Sequence, residues 1–295
     1  MDHSKFKPMK PPTGTLDIND VKYPCWGSIK YDGFRCSIVN NRTVLNSLRE
    51  LDNLYTRAKL VSVSDLELHD GELVMLPLTD NKCFARCQSA FRSADGEPDF
   101  RYVVFDVITE KTFEDRWINF EKPDYPEWVI VDTPVLIENR QQLDIYIAEI
   151  VGLGHEGIII RQGKSKYKFG RATFKCQSVL RVKPMEDDEG VITGFICEYE
   201  NTNEATVDLH GRTKRSHSKE GLIPKDTLGK LVVDHLTWGE LMISGFTDEM
   251  ADEIWKNKAK YLGELATFRY QKVGSLEAPR LAKFKGIRSK ADMSA

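Results

Sequence analysis

An acidic stretch, Pro184-Met-Glu-Asp-Asp-Glu-Gly190, divides the sequence into two parts with different patterns. Before it, strand-like runs alternate with helix-like runs. After it, the strand-like runs are shorter and turn residues are more frequent. At 295 residues the chain is longer than one hydrophobic core usually supports, so two domains are expected. We predict one domain over residues 1–185 and a second over residues 186–295.

The first part predicts a layered α+β domain. Apolar and polar residues alternate through the strand-like run from Leu66 to Leu76, and helical spacing stops at paired glycines after Val151. Residues 1–20 contain three prolines and are expected to lead into the first domain without forming a fold of their own. The predicted strands are 34–39, 43–48, 66–76, 101–108 and 157–161, and the predicted helices are 52–61, 85–91 and 138–151.

The second part predicts a small β-barrel. Strands are expected at 191–200, 229–235, 240–244, 266–273 and 282–287, with one helix from Asp248 to Lys260 capped by Thr247. Five strands and one helix in about 110 residues are typical of the oligonucleotide-binding (OB) fold. A long polar loop at 201–221 interrupts the strands, and such loops are usually functional or disordered. We favour a functional loop, whose basic residues are Arg212, Lys214, Arg215 and Lys219.

The basic residues are unevenly distributed. The net charge is only −3, which argues against a protein that coats DNA non-specifically. Residues 161–185 nevertheless hold eight Lys or Arg and no acid, and residues 268–290 hold seven against the single acid Glu277. The two stretches are either a surface that faces phosphates or ordinary solvated faces.

The location is expected to be cytoplasmic, or the host cytoplasm for a viral protein. No signal peptide is visible, and no run approaches the roughly 18 apolar residues that span a membrane. The six cysteines lack the spacing of metal ligands, so reduced cysteines in a cytosol-like compartment are the expectation.

Lys30-Tyr-Asp-Gly33 has two readings. Asp-Gly is a favoured turn pair, so the tetrapeptide fits an ordinary hairpin corner. Alternatively, Lys30 is a nucleophile. At a pKa near 10.4 only about one lysine in two thousand is neutral at pH 7, so a reactive lysine needs nearby cations or a base.

Four later strands offer side chains that could act together with such a lysine. Arg181 and Lys183 lie two apart on one predicted strand and would supply a cationic field. Glu72 offers a carboxylate for a ribose hydroxyl or a metal ion, and Glu156 precedes a strand and suits Mg²⁺. Phe105 is either a stacking surface for a base or a core phenylalanine.

In this order the elements resemble the covalent nucleotidyltransferase superfamily, which comprises DNA ligases, RNA ligases and mRNA-capping guanylyltransferases. Within it, the sequence is most similar to the minimal virus-encoded, ATP-dependent DNA ligases, and the resemblance covers roughly residues 20–292. The matching segments are Lys30-Tyr-Asp-Gly-Phe-Arg35, Asp70-Gly-Glu-Leu73, Phe105-Asp106, Glu156-Gly-Ile-Ile-Ile-Arg161, Tyr167-Lys-Phe-Gly-Arg-Ala-Thr173, Leu180-Arg-Val-Lys183, the 201–216 loop and Pro279–Arg288.

The resemblance implies a fold and an activity. The first domain would be a nucleotidyltransferase fold of ATP-grasp-like antiparallel sheets with helices, followed by the OB-fold barrel. Lys30 would take AMP from ATP, with Mg²⁺ or Mn²⁺, and the AMP would activate the 5′-phosphate of nicked duplex DNA for sealing by the 3′-hydroxyl. The 201–221 loop resembles a latch that closes around DNA, so a monomer that encircles DNA, without a membrane partner, is expected.

The resemblance also implies residue roles. Lys30, Asp32, Arg35, Arg181 and Lys183 would be catalytic. The residues that would bind the nucleotide are Ser28, Ile29, Lys30, Arg35, Arg49, Glu72, Phe105, Glu156, Arg171, Arg181 and Lys183. The metal ion would be bound by Glu156 and Glu72, and the DNA by the four basic residues of the latch. Arg280 and Arg288 would belong to a terminal motif used when ATP reacts.

Two positions depart from the family pattern. Ser47-Leu-Arg49 stands where the family has adjacent Ser-Arg, so either Arg49 takes the phosphate role with a one-residue shift or the contact is lost. Arg181 replaces a lysine and keeps the charge, but it is unsuited to donating a proton. An RNA ligase, a capping guanylyltransferase and a catalytically silent nick-binding module remain alternatives, and the sequence leaves open the source, pathway, strand preference and accessory partners.

Overall fold

The computed structural model describes residues 1–79, 82–271 and 278–288 and is of the α+β type, with several antiparallel sheets. The chain forms two compact units, residues 1–184 and residues 185–295. In the described part of the chain, no helix is both long enough and apolar enough to cross a membrane.

The first unit contains two sheets. The four-stranded sheet has the order β7-β1-β8-β9 and is antiparallel throughout, and the five-stranded sheet has the order β3-β2-β4-β5-β6, with a parallel β5–β6 pair. Its strands are β1 (Cys25–Ile29), β2 (Phe34–Val39), β3 (Arg42–Leu45), β4 (His69–Met75), β5 (Phe100–Val107), β6 (Val129–Val131), β7 (Val135–Ile137), β8 (Ile158–Arg161) and β9 (Leu180–Val182), and its helices are α1 (Leu54–Val61), α2 (Cys83–Arg92) and α3 (Arg140–Gly152).

Each sheet packs its helices on one face and leaves the other face for polar side chains. Leu143 and Ile150 of α3 pack on Ile158 and Ile160 of β8, which alternate with Ile159 and Arg161 on the opposite face. On the five-stranded sheet, a second cluster joins α1 and α2 to residues that alternate with Ser37, Asp70 and Glu72. The polar faces of the two sheets therefore line the inside of the first unit.

Residues 1–20 form no unit of their own and are packed into the first unit. Phe6 and Met9 are buried in a cluster with Tyr167 and Val179. The amides of Lys10 and Ala172 donate to the carbonyls of Gly170 and Lys10, each over 2.7 Å. The side chains of Phe6 and Met9, which stand among the prolines, are therefore buried, although the composition of this segment did not suggest it.

The second unit is built on one five-stranded antiparallel sheet with the order β14-β13-β10-β15-β16. Its edge strands meet through an isolated bridge between Ser244 and Lys283, with the Phe284 amide donating to the Ser244 carbonyl over 2.9 Å. The elements are β10 (Glu186–Asn201), β11 (Ala205–Val207), β12 (Thr213–Arg215), β13 (Leu222–His235), β14 (Gly239–Ile243), β15 (Leu265–Gln271), β16 (Arg280–Arg288), α4 (Asp248–Lys256) and α5 (Lys258–Tyr261).

Several boundaries differ from the sequence-based ones. The helix predicted over 248–260 is broken at Asn257, although its Thr247 cap is confirmed by a 3.3 Å bond from the Met250 amide. β10 begins at Glu186, inside the acidic stretch, because its acidic residues pair with β15. The polar loop contains a two-stranded hairpin of β11 and β12, and the predicted strand end at 272–273 lies outside the described residues.

We expect the packing of α3 to contribute to the stability of the first unit. Leu143→Ala removes a fully buried side chain and should lower the free energy of unfolding by about 2–5 kcal/mol. Ile145→Ala, on the same helix at 60% exposure, should change it by less than about 0.5 kcal/mol. Urea unfolding of both variants followed by tryptophan fluorescence tests this, and equal effects would contradict the packing described.

Candidate functional site

Lys30 follows β1 directly and is held against the start of β8. Its backbone amide donates to the Gly157 carbonyl over 2.9 Å, which continues the β1–β8 ladder by one residue. A side chain at Gly33 would meet the Leu73 carbonyl oxygen at 2.2 Å, so the bend at Asp32-Gly33 brings the chain tightly onto β4. The prediction of a hairpin corner is wrong, because β1 and β2 do not pair and belong to different sheets.

Glu156 lies between two lysines at the entrance to the central strand β8. Lys30 Nζ donates to Glu156 Oε2, and Lys183 Nζ donates to Glu156 Oε1. Gly157 makes this possible, because its φ is +147° and a side chain there would meet the Val182 carbonyl oxygen at 2.2 Å. The Glu156 side chain is 1% exposed, so both ion pairs are shielded from solvent on the carboxylate side.

The charge on Glu156 is set by two opposing effects. Burial alone raises its pKa, because a charged carboxylate loses its hydration. The charges of Lys30 and Lys183 and their hydrogen bonds outweigh burial and lower the pKa to about 2. Glu156 is therefore a carboxylate at neutral pH.

A cavity of about 210 Å³ opens beside Lys30 between the polar faces of the two sheets. Most of the residues predicted to bind a nucleotide line it, from both sheets and from the segment before β1. The lining includes Pro11, Ser28, Ile29, Lys30, Tyr31, Arg35, Asn46, Glu72, Phe105, Ile159, Arg161, Val179 and Arg181.

Glu72 and Phe105 occupy this cavity from the five-stranded sheet. Burial raises the pKa of Glu72 to about 8, with Glu156 and Asp70 adding to the rise and Lys30 and Arg35 opposing it. Phe105 is partly exposed, so it is not a core phenylalanine. The Arg35 and Arg161 guanidinium carbons lie 5.4 and 5.1 Å from the centre of its ring.

Arg35 belongs to a buried network that the sequence did not predict. Its guanidinium donates to both oxygens of Asp70 and to the Met9 carbonyl. Asp70 is fully buried and also accepts from Ser37 Oγ at 2.9 Å and Tyr167 OH at 2.5 Å. Asp70 is the first residue of the Asp70-Gly-Glu-Leu73 motif, but its partners come from distant segments.

A second buried network joins the two sheets. Asp106 accepts from Arg116 Nε at 2.7 Å and lies 3.6 Å from Arg161 Nε, and all three side chains are at most 5% exposed. Arg161 also donates to Ser28 Oγ over 3.2 Å. Arg161 was not predicted as a site residue. Its place at the end of the Glu156-to-Arg161 motif was the sequence signal that could have identified it.

Other predicted residues are not brought into the cavity. Asp32 is partly exposed beside it, and Arg49 is exposed at the end of the β3 turn. Arg171 is exposed and donates to the Pro11 carbonyl over 2.7 Å, so it braces the segment that supplies Pro11 to the cavity wall. The proposed phosphate roles of Arg49 and Arg171 stay predictions.

The predicted DNA-binding residues lie in the second unit. Arg212, Lys214, Arg215 and Lys219 are all exposed, on or beside the β11–β12 hairpin, and Arg215 donates to the Asn203 carbonyl. The hairpin is held at its base by Asn203, whose amide donates to the Ser216 and Ser218 carbonyls at 3.1 and 2.9 Å. Arg280 is partly exposed on β16, and Arg288 pairs with Glu189 at 3.3 Å.

Comparison with solved structures finds DNA ligases. The chain is similar to a Chlorella virus DNA ligase-adenylate, with 26% identity, a TM-score of 0.53, and coverage of 97% of this chain and 99% of that one. A Lig E DNA ligase matches with 18% identity, a TM-score of 0.69 and coverage of 96% and 99%. The ligase domain of LigD from M. tuberculosis matches with 18% identity, a TM-score of 0.50 and coverage of 98% and 96%.

These matches confirm the resemblance to DNA ligases that the sequence motifs indicated. No protein-family model matches the sequence, and no curated protein matches it.

We expect Glu156 to stabilise the fold in a pH-dependent way. Lowering its pKa from 4.5 to about 2 corresponds to about 3 kcal/mol of stability at neutral pH. Because the folded pKa is the lower one, this stability is complete above about pH 4.5 and is lost as the pH falls towards 2. Glu156→Gln should therefore be destabilised at pH 7, and the difference from wild type should shrink below pH 4.5.

The measurement is denaturant unfolding of both proteins between pH 7 and pH 2.5. Glu149→Gln serves as the control, because Glu149 is exposed on α3 and its replacement should not change the pH dependence. A wild-type advantage that stays constant over this range would contradict the ion-pair assignment.

Proposed function

We propose that this chain is an ATP-dependent DNA ligase, which joins a 3′-hydroxyl to a 5′-phosphate at nicks in duplex DNA through a lysyl-AMP intermediate. The observation that carries the proposal is Lys30, which lines the cavity and contacts the buried carboxylate of Glu156. The likeness to a viral DNA ligase-adenylate over nearly the whole of both chains supports a ligase over the other enzymes of the superfamily.

In the first step Lys30 Nζ attacks the α-phosphorus of ATP. The P–N bond forms as the bond to the bridging oxygen breaks, and pyrophosphate leaves with that electron pair. An ammonium group has no lone pair, so Lys30, whose side chain is 22% exposed, must first give a proton to solvent. Glu156 is too weak a base to hold that proton, with a pKa of about 2, so its main effect is to position Nζ. The positive charges of Lys183 and Arg181 stabilise the phosphoryl oxygens.

The adenosine lies between the two sheets. Phe105 on one wall and Ile159 on the other supply apolar surfaces for the faces of the adenine ring. Glu72 binds the ribose. Burial raises its pKa to about 8, so at neutral pH its carboxyl can donate a hydrogen bond to a ribose hydroxyl as well as accept one.

The site also suits a divalent cation. Glu156 and Glu72 offer oxygen ligands, and Mg²⁺ typically uses one or two carboxylates together with substrate phosphates and water. Among the described residues, no group of three or more acidic, histidine or cysteine side chains is arranged to hold a metal ion. A bound cation would neutralise phosphate charge and favour the ionised form of Glu72.

In the second step the AMP passes from Lys30 to the 5′-phosphate at the nick, and a pyrophosphate bond forms as the P–N bond breaks. In the third, the 3′-hydroxyl attacks that 5′-phosphate, the phosphodiester forms and AMP leaves. Asp32 and Arg35 act near the nick termini, and Arg35 is held in place by Asp70. Arg49 and Arg171 contact phosphates.

The second unit acts as an OB-fold that binds the minor groove opposite the nick. Its sheet meets edge to edge at Ser244 and Lys283, as expected of a small barrel. The β11–β12 hairpin acts as the latch, with Arg212, Lys214, Arg215 and Lys219 against DNA phosphates, and the monomer encircles the duplex. Arg280 and Arg288 act when ATP reacts.

We expect Lys30→Ala to abolish the covalent protein–AMP adduct while the protein stays folded. The test incubates the protein with labelled ATP or GTP and Mg²⁺ and separates it on a denaturing gel. Lys111→Ala, at an exposed position of the same unit, should label as wild type does. Labelling of Lys30→Ala would identify a different nucleophile, and an adduct with GTP alone would indicate a capping enzyme.

We expect the hairpin to serve DNA binding rather than reaction with ATP. Deleting residues 203–219 should weaken binding to a nicked duplex by at least about tenfold. The loss of affinity should be larger at low salt, because contacts with phosphates release counterions and therefore stabilise the complex most when salt is low. Adduct formation with ATP should change by less than about twofold. Equal loss of both activities would assign the hairpin a structural role. Gel-shift titration and adduct labelling of the same protein measure the two quantities.

A further inference from the structure

We propose that the Tyr167 hydroxyl positions the Arg35 guanidinium by holding both of the protein groups that accept hydrogen bonds from it. This inference rests on the proposed function, in which Arg35 acts near the nick termini, and it names a positioning residue for the steps at the nick. Tyr167 is 3% exposed, and it is not among the residues that line the cavity. It therefore acts through Arg35 and not by touching the substrate.

The direction of the Arg35 guanidinium is set by one carboxylate and one main-chain carbonyl. Nε and Nη2 donate to the two oxygens of Asp70, and Nη1 donates to the Met9 carbonyl. Because the guanidinium is a rigid planar fork, the positions of these acceptors decide its orientation. One N–H of Nη1 makes no hydrogen bond within the described part of the chain, and Arg35 lines the cavity, so this group is left for a ligand.

A single hydroxyl contacts both of these acceptor residues. Tyr167 OH donates to Asp70 Oδ2 over 2.5 Å and accepts from the Met9 amide over 3.2 Å. Burial and the charge of Asp70 raise the pKa of Tyr167, so the hydroxyl keeps its proton at neutral pH and remains a donor to the carboxylate. Met9 presents its amide to Tyr167 and its carbonyl to Arg35. These contacts close a cycle, with the Tyr167 hydroxyl opposite the guanidinium.

The Tyr167 side chain is held in place by contacts of its aromatic ring. The ring centres of Phe6 and Phe169 lie 6.4 and 6.3 Å from its centre, and the Arg116 guanidinium carbon lies 5.7 Å from it. A phenylalanine would keep these contacts, because the ring makes them. Tyr167→Phe therefore removes the hydroxyl alone.

The other side chain that donates to Asp70 supports only one of the two acceptors. Ser37 Oγ donates to Asp70 Oδ1 over 2.9 Å, on the oxygen that does not contact Tyr167. Without the Tyr167 hydroxyl, Asp70 and Met9 lose their shared link, and the guanidinium can shift with either of them. A displacement of about 1 Å at an orienting group can cost about a hundredfold in rate.

The first test measures the reaction at the nick with protein that already carries AMP on Lys30, so that the reaction with ATP is not involved. In single turnover, Tyr167→Phe should lower the rate of AMP transfer to the 5′-phosphate by about tenfold, the order of one hydrogen bond to a charged group. Tyr125→Phe is the matched control, because it removes a hydroxyl that contacts His69 Nε2 at 2.7 Å in the same unit. The control should change the rate by less than about twofold, and an unchanged rate in Tyr167→Phe would overturn the inference.

A double-mutant cycle separates the positioning of Arg35 from a general loss of stability. Arg35→Lys keeps the charge but lacks the planar fork that reaches both acceptors. If Tyr167 acts through Arg35, Tyr167→Phe should lower the rate by less than about twofold further in the Arg35→Lys protein. An equal loss in both backgrounds would mean that the hydroxyl acts independently of Arg35, which would also overturn the inference.

Nitrogen-edited NMR of the arginine side chains gives a readout that requires no reaction. The Arg35 Nε–H signal, assigned by its loss in Arg35→Lys, should exchange with water at least about tenfold faster in Tyr167→Phe than in wild type. The Arg116 Nε–H, bonded to Asp106 over 2.7 Å, is the internal reference and should keep its rate. Equal acceleration of both signals would indicate general loosening and would contradict the inference, as would no change in either.

The wild-type protein supplies the test if Tyr167→Phe does not fold. Its Arg35 Nε–H should exchange at least about tenfold more slowly than the Nε–H of Arg42, which is 65% exposed and bonded to Glu50 over 2.8 Å. The Tyr167 hydroxyl proton should also show a nuclear Overhauser contact with the Met9 amide proton. Equal exchange rates, or absence of that contact, would overturn the inference.

Failure of the proposed function would look different. Absence of any AMP adduct in the wild-type protein would overturn the ligase assignment, while the exchange rates would still report whether Tyr167 holds Arg35. The two failures are therefore distinguishable.

Discussion

The arrangement of the first unit depends on one buried carboxylate between two ammonium groups. Glu156 receives Lys30 from one neighbouring strand and Lys183 from the other, at the point where the central strand β8 begins. Removal of either lysine leaves the buried carboxylate of Glu156 with one ammonium partner fewer, and such a loss is costly. The pairing therefore fixes the ends of β1 and β9 relative to each other, and with them the position of the Lys30 amine.

Strand alternation made much of this site readable in the sequence. Arg181 and Lys183 were placed on one face because they lie two apart, and the Glu156-Gly157 pair was expected just before a strand. Both features are local, since a side-chain period of two and a glycine at a close approach leave direct traces in the sequence. The outer faces, with Leu143 and Ile150 on α3, followed from helical spacing in the same way.

Features made by distant segments were not readable. Asp70 is surrounded by Arg35, Ser37 and Tyr167, and no spacing rule connects the last of these to the others. Where two segments meet only through tertiary packing, composition and period do not record it.

The packed start of the chain has a practical consequence. Met9 supplies the carbonyl that holds Arg35, Pro11 forms part of the cavity wall, and the Lys10 side chain donates to the Asn46 carbonyl over 2.7 Å. Shortening the protein to the Lys30 motif would thus remove part of the cavity wall itself. Any engineered version meant to keep the site intact should begin no later than Phe6, whose ring packs edge-on against Phe169 at 5.3 Å.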